Sequence, residues 1–188
     1  MFIPNRDARV TQIRSAVLCS PSEFNHLEGF LRRHNKRFFS HRDTGHQWLV
    51  ERCIRVAEER FPTYKFDTAI SELMENNRVS TGPRTLREAS PGAPILIFVF
   101  GGGGRFRVFP YPLPNPKDVI EFPMFPGDMY ALEGRDMQHT CRHDMIANGH
   151  ACNIYVMVKG STHTPYGVFP DSSVPTMPAY MARKKMRF

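Results

Sequence analysis

ILIFVFGGGGRFRVF, Ile95 to Phe109, opens with six consecutive apolar residues, three of them β-branched, and no charge. A run of that length and type predicts a strand buried on both faces. Four glycines follow at once, and then RFRVF alternates charged and apolar residues. Alternation predicts a half-buried strand, so the segment reads as two strands paired in a hairpin across Gly101 to Gly104. A phosphate-cradling loop is a poorer reading of the glycines. No Lys-Ser/Thr pair follows them, and no helix pattern begins there.

Other strands flank this segment. KFDTAISEL (Lys65–Leu73), VIEFPMF (Val119–Phe125), MYAL after the turn residues PGD, and ACNIYVMVKG (Ala151–Gly160) all read as strands. Upstream, the pattern is helical. HQWLVERCIRVAEERF places Val50, Cys53, Ile54, Ala57 and Phe61 at i, i+3, i+4, i+7, i+11, and Pro62 ends it. Asp43 or Thr44 is the expected N-cap. FNHLEGFLRRHNKRFF, Phe24 to Phe39, sets Phe24, Leu27, Phe30 and Leu31 at helical spacing. Its opposite face carries Arg32, Arg33, Lys36 and Arg37, four cations in six residues. Residues 1–25 show little periodicity. Asn76 to Pro94 and Tyr111 to Asp118 read as loops, rich in Pro, Gly, Asn and Ser.

Helices first and about six strands after them suit an α+β chain. The expected fold is a jelly roll, or double-stranded β-helix, with N-terminal supporting helices and an extended C-terminal tail. At 188 residues one such core is affordable, and 15 Phe are available to fill it. The expected divisions are a basic helical region (1–47), the core (48–160) and a Pro-rich basic tail (161–188). That tail ends in Arg183, Lys184, Lys185 and Arg187.

The net charge is +7, which favours an acidic partner and steers towards nucleic acid. Cys19, Cys53, Cys141 and Cys152 form no C-x-x-C pair, so idle thiols in a reducing compartment are expected. A cytoplasmic setting is preferred, with nuclear, mitochondrial and virion-associated ones as alternatives. No apolar run reaches membrane-span length, and no membrane partner is expected.

The segment from Trp48 to about Lys159 resembles the AlkB-like branch of iron- and 2-oxoglutarate-dependent dioxygenases. The matching pieces are WLVERCIRVAEERF, FDTAISELMENN, LREASPGAPILIFVFGGGGRFRVF, PGDMYALEG and CNIYVMVKG, in family order. The resemblance implies a double-stranded β-helix, and a reaction that removes alkyl groups from nucleic acid bases. It also implies a 2-His-1-carboxylate face for Fe(II). Laid on that pattern, the His-x-Asp ligands fall on Gly82 and Arg84, and neither can serve. The third ligand falls on His143, or after a one-residue shift on His139, near Asp136. The cosubstrate asparagine falls on Asn153. The clamping arginine falls on Met157, which cannot bind a carboxylate in bidentate fashion.

The resemblance therefore implies a degenerate member, with no metal, no cofactor and no catalytic residue. It would bind nucleic acid, RNA favoured, or form part of a nucleoprotein assembly. Contacts are expected from Arg32, Arg33, Lys36, Arg37, Arg84, Arg105, Arg107 and the Arg183, Lys184, Lys185 and Arg187 cluster. Two alternatives stand beside this. In the first, His41 and Asp43 of SHRDTGH join His143 to hold Fe(II), with 2-oxoglutarate at Asn153, in an active dealkylating dioxygenase. In the second, the chain is a protein-binding scaffold or capsid-type subunit that engages its partners through the tail.

Overall fold

The computed structural model describes residues 8–42, 45–75, 89–90, 92–110, 119–134 and 141–160. Gly82, Arg84, Asp43, Asp136, His139 and the tail cations from Arg183 to Arg187 lie outside them. Among the described residues there are nine strands and two helices. In chain order these are β1 (Arg9–Ile13), α1 (Pro21–Arg33), β2 (Arg37–His41), α2 (Trp48–Arg60), β3 (Thr68–Met74), β4 (Ile95–Gly101), β5 (Gly104–Pro110), β6 (Ile120–Met124), β7 (Met129–Glu133), β8 (Cys141–Ala147) and β9 (Ala151–Met157).

The strands form two sheets. Six lie in the order β1-β7-β4-β9-β3-β2, and three in the order β6-β5-β8; all pairings are antiparallel. Helices α1 and α2 cover the outer face of the larger sheet. Leu27, Leu31, Leu49, Val50, Cys53, Ile54 and Ala57 share one apolar cluster with Leu96, Phe98, Phe100, Ile154 and Val156. A second cluster lies between the sheets and joins Ile97, Val99 and Tyr155 to Phe106, Val108, Met145 and Ala147. Successive side chains of a strand point to opposite faces, so β4 sends Ile95, Ile97 and Val99 inward and Leu96, Phe98 and Phe100 to the helices. A strand that is covered on both sides needs an unbroken apolar run, which is why ILIFVF does not alternate. Each such side chain contributes about 2 kcal/mol on burial.

The hairpin expected across the four glycines does not form. Both edges of β4 are taken, by β7 and β9, and β5 pairs with β6 and β8 instead. The glycines carry the chain from one sheet to the other. Gly101 and Gly103 have φ of 85° and 68°, a region that L side chains rarely adopt. A Cβ on Gly102 would sit 1.9 Å from the Asn148 carbonyl oxygen. Only glycine allows this close crossing.

Three strands were not expected. β1 lies in the segment that looks aperiodic, where five residues, three of them polar, give no usable period. β2 follows α1 in what looks like a single helical stretch. The helix ends at Arg33, with His34 as its C-cap, and Asn35 and Lys36 turn the chain at φ of 53° and 67°. Lys36 and Arg37 are therefore not on the helix. β8 (Cys141–Ala147) begins with the polar CRHDM stretch. Both β1 and β2 belong to the six-stranded sheet, so that sheet takes strands from either side of residue 47.

The caps differ too. Ser20 caps α1, with Glu23 completing a capping box. Gln47 is the N-cap of α2 and makes no side-chain cap bond, so neither Asp43 nor Thr44 starts that helix.

Candidate site between the two sheets

Strand β8 is an edge of the three-stranded sheet and points His143 and Met145 inward. The His143 ring is buried and stacks on Phe106, with centroids 5.5 Å apart; Tyr155 is 6.2 Å away. From the larger sheet, β9 contributes Asn153, Tyr155 and Met157, and β3 contributes Glu72 and Met74. The Tyr155 hydroxyl donates to Glu72 Oε2 at 3.4 Å and lies 3.5 Å from Met145 Sδ. Asn153 is fully buried. Its Nδ2 donates to Met145 Sδ at 2.7 Å and Met74 Sδ at 3.1 Å. Its Oδ1 has no hydrogen-bond partner among the described residues.

This chemistry is soft and mostly apolar. Thioethers are weak acceptors, and they pack as flexible hydrophobic filler. An iron and 2-oxoglutarate pair needs three hard ligands and a cation for the distal carboxylate. Among the described residues, no three His, Cys, Asp or Glu side chains converge to hold a metal ion. The buried side chains described include no Lys or Arg. Met157, where the resemblance puts the clamping arginine, is fully buried in the core. The Glu72 carboxyl group, which accepts from the Tyr155 hydroxyl, offers a dicarboxylate no positive charge. The described residues do not fit that cofactor pair.

His41 stands apart from His143. It ends β2, at the edge of the larger sheet, with its Nδ1 3.4 Å from Thr68 Oγ1 and its ring edge-to-face on Phe39.

The expected nucleic-acid contacts divide into two groups. Near the end of α1, Arg32 pairs with Glu28 at 2.7 Å and Glu75 at 3.4 Å, and Lys36 pairs with Glu75 at 2.9 Å. Arg33 and Arg37 are exposed beside them, and Arg37 is in register with Glu72. On the smaller sheet, Arg105 pairs with Glu121 at 3.1 Å, and Arg107 pairs with the buried Asp144 at 2.6 Å. Carboxylates therefore neutralise much of the basic pattern. Phe39, 42% exposed between Arg37 and His41 on β2, is an aromatic that sequence alone does not single out. Its exposure follows from the edge position of β2.

Asp128 of the expected Gly-Asp turn has a structural task. Its carboxylate accepts from Gln12 Nε2 at 2.6 Å and from the Ser15 N–H at 3.0 Å, and Arg14 Nε lies 3.2 Å away. It locks the turn after β1, where Ser15 has φ of 50°.

No family model and no curated protein sequence matches the chain. Among solved structures, OsALKBH1 aligns with a TM-score of 0.51 at 9% identity, over 79% of this chain and 97% of its own. A prolyl-4-hydroxylase from Pseudomonas putida aligns with a TM-score of 0.47 at 11% identity, over 81% of this chain and 92% of its own. With two antiparallel sheets enclosing one core and two helices backing the larger, the chain has the double-stranded β-helix, or jelly-roll, fold that OsALKBH1 has.

Proposed function

We propose that this chain is a non-catalytic AlkB-like module that binds single-stranded nucleic acid, RNA favoured. The observation that carries the non-catalytic half is the filling of the inter-sheet space. Met74 and Met145 engage the Asn153 amide, and Met157, where the resemblance puts the clamping arginine, is buried in the core. A cosubstrate carboxylate would there meet thioethers and the Glu72 side chain, and the buried side chains described include no cation to offset its desolvation.

The binding half rests on the corner where α1 meets β2. Arg37 shares a face of β2 with the exposed Phe39 ring, and Arg33 and Lys36 stand just before the strand, at and after the end of α1, Lys36 with Glu75 as its counter-ion. Cations that track a backbone, with an aromatic face for stacking, suit a single strand without strong sequence preference.

Two measurements test the reading. Purified protein supplied with Fe(II) and 2-oxoglutarate is expected to release no succinate; stoichiometric iron with turnover would overturn the non-catalytic half. Anisotropy of a labelled RNA oligomer should show affinity that falls steeply with salt. Phe39→Ala should weaken it by about 1–3 kcal/mol, the usual value of one stacked base. An oligomer that fails to bind at low salt, or that ignores Phe39, would remove the binding half.

A further inference from the structure

The described residues leave four large apolar side chains exposed, and three of them meet at one end of the molecule. Leu18 (69% exposed) lies in the loop after β1, Trp48 (38%) begins α2, and Phe125 (39%) lies in the turn between β6 and β7. Contacts link them into one surface. Arg52 lies 5.3 Å from the Trp48 ring and donates to the Leu18 carbonyl at 2.7 Å. The Leu18 side chain would touch a Cβ placed on Gly127, two residues from Phe125. Arg14 covers the Phe125 ring at 4.4 Å. A cleft of about 310 Å³ opens in this surface, between Ser15–Leu18 on one side and Arg52, Arg55 and Val56 on the other.

We infer that this end is a docking site for an acidic, apolar-anchored segment of another protein. Exposed apolar side chains gathered on one surface, with a cleft beside one of them, mark an interaction surface. Charge sets the class of partner. Three arginines border the patch. Arg14 and Arg52 have Asp128 and Glu23 as partial counter-ions. Arg55 is exposed and makes no ion pair with a described residue. A partner carboxylate complements that guanidinium, and a partner leucine or phenylalanine fills the cleft beside Leu18. Nucleic acid suits the surface less well. Leu18, the most exposed of the three, offers no stacking face, and one face of each aromatic ring already carries a guanidinium. The inference is independent of the nucleic-acid reading, which concerns the α1–β2 corner.

Trp48 is the only tryptophan in the chain, so its emission reports on this patch alone. The full chain would be titrated with a tryptophan-free peptide of alternating Glu and Leu, beside a Lys and Leu peptide and a poly-uridine RNA. The expected result is a saturable blue shift with the Glu and Leu peptide only. Arg55→Glu and, separately, Leu18→Ser should weaken it about tenfold, the effect of losing one moderate interface contact. Far-UV circular dichroism checks that both variants stay folded. Absence of the shift overturns the inference. So does an equal response to the Lys and Leu peptide, a shift with RNA, or undiminished binding by both variants. Self-association that Leu18→Ser abolishes would make the occupant a second copy of this chain and would overturn it equally.

Discussion

Arg107 Nε and one of its terminal nitrogens donate to the two carboxylate oxygens of Asp144 at 2.7 and 2.6 Å, across the β5–β8 register. Asp144 is buried, while the guanidinium keeps a quarter of its surface in water. Among the described residues, Arg107 is the ion-pair partner that balances the aspartate. Arg107→Ala should cost about 3 kcal/mol, because it strands a buried carboxylate. The double change Arg107→Met with Asp144→Leu should recover most of that loss. Urea midpoints of the three proteins check it, and equal losses in both variants would contradict it. Salt dependence of RNA binding should be unaltered in the double variant, since this guanidinium is already engaged.

Gly102 passes against the Asn148 carbonyl, where a methyl group would stand at 1.9 Å, and Gly104 passes Ile146 in the same way at 2.1 Å. Backbone cannot yield as a side-chain tip does. Gly102→Ala should destabilise by about 4 kcal/mol or prevent folding, placing it in the exceptional tail of single substitutions. Soluble yield and melting temperature report it. Gly149→Ala, with open space around its Cβ position but φ of 75°, should cost only about 1 kcal/mol.

Asn153 holds its amide on two sulfurs and leaves Oδ1 without a partner among the described residues. Replacing it with an apolar residue of similar size removes a desolvated acceptor. Asn153→Leu should be neutral or stabilise by about 1 kcal/mol. A melting temperature several degrees below that of the parent would show that the oxygen has a partner that matters.

Arg42 grips Glu58 through both carboxylate oxygens and ties the end of β2 to α2. That hydrogen bond, ahead of the opposing effect of burial, holds the Glu58 carboxyl below its ordinary value. A depressed folded value contributes stability above the unfolded value of ~4.3, and that stability is lost as pH falls through the folded one. Arg42→Ala should therefore cost about 0.5–1 kcal/mol at neutral pH, the range for a solvent-screened pair. The difference should shrink towards zero below pH ~4. Chemical denaturation at pH 7 and pH 3 checks the sign.

The sequence by itself determined the elements with a strong period or an unbroken apolar run. α2 declares itself through the spacing of Val50, Cys53, Ile54 and Ala57, and β4 and β9 through runs that only double-sided burial explains. The jelly roll followed from their order. Tertiary structure alone decided the pairing. RFRVF satisfies a hairpin locally, but β4 has no edge left to offer, and that is a property of β7 and β9, far away in the chain. The short polar strands β1, β2 and β8 exist because sheet edges already in place accept their backbone hydrogen bonds. Which cations remain available to a partner was likewise unreadable in one dimension, since Glu75, Glu121 and Asp144 reach their arginines and lysine across strands and turns. So was the gathering of Leu18, Trp48 and Phe125, which lie tens of residues apart and share a surface only once the turns close.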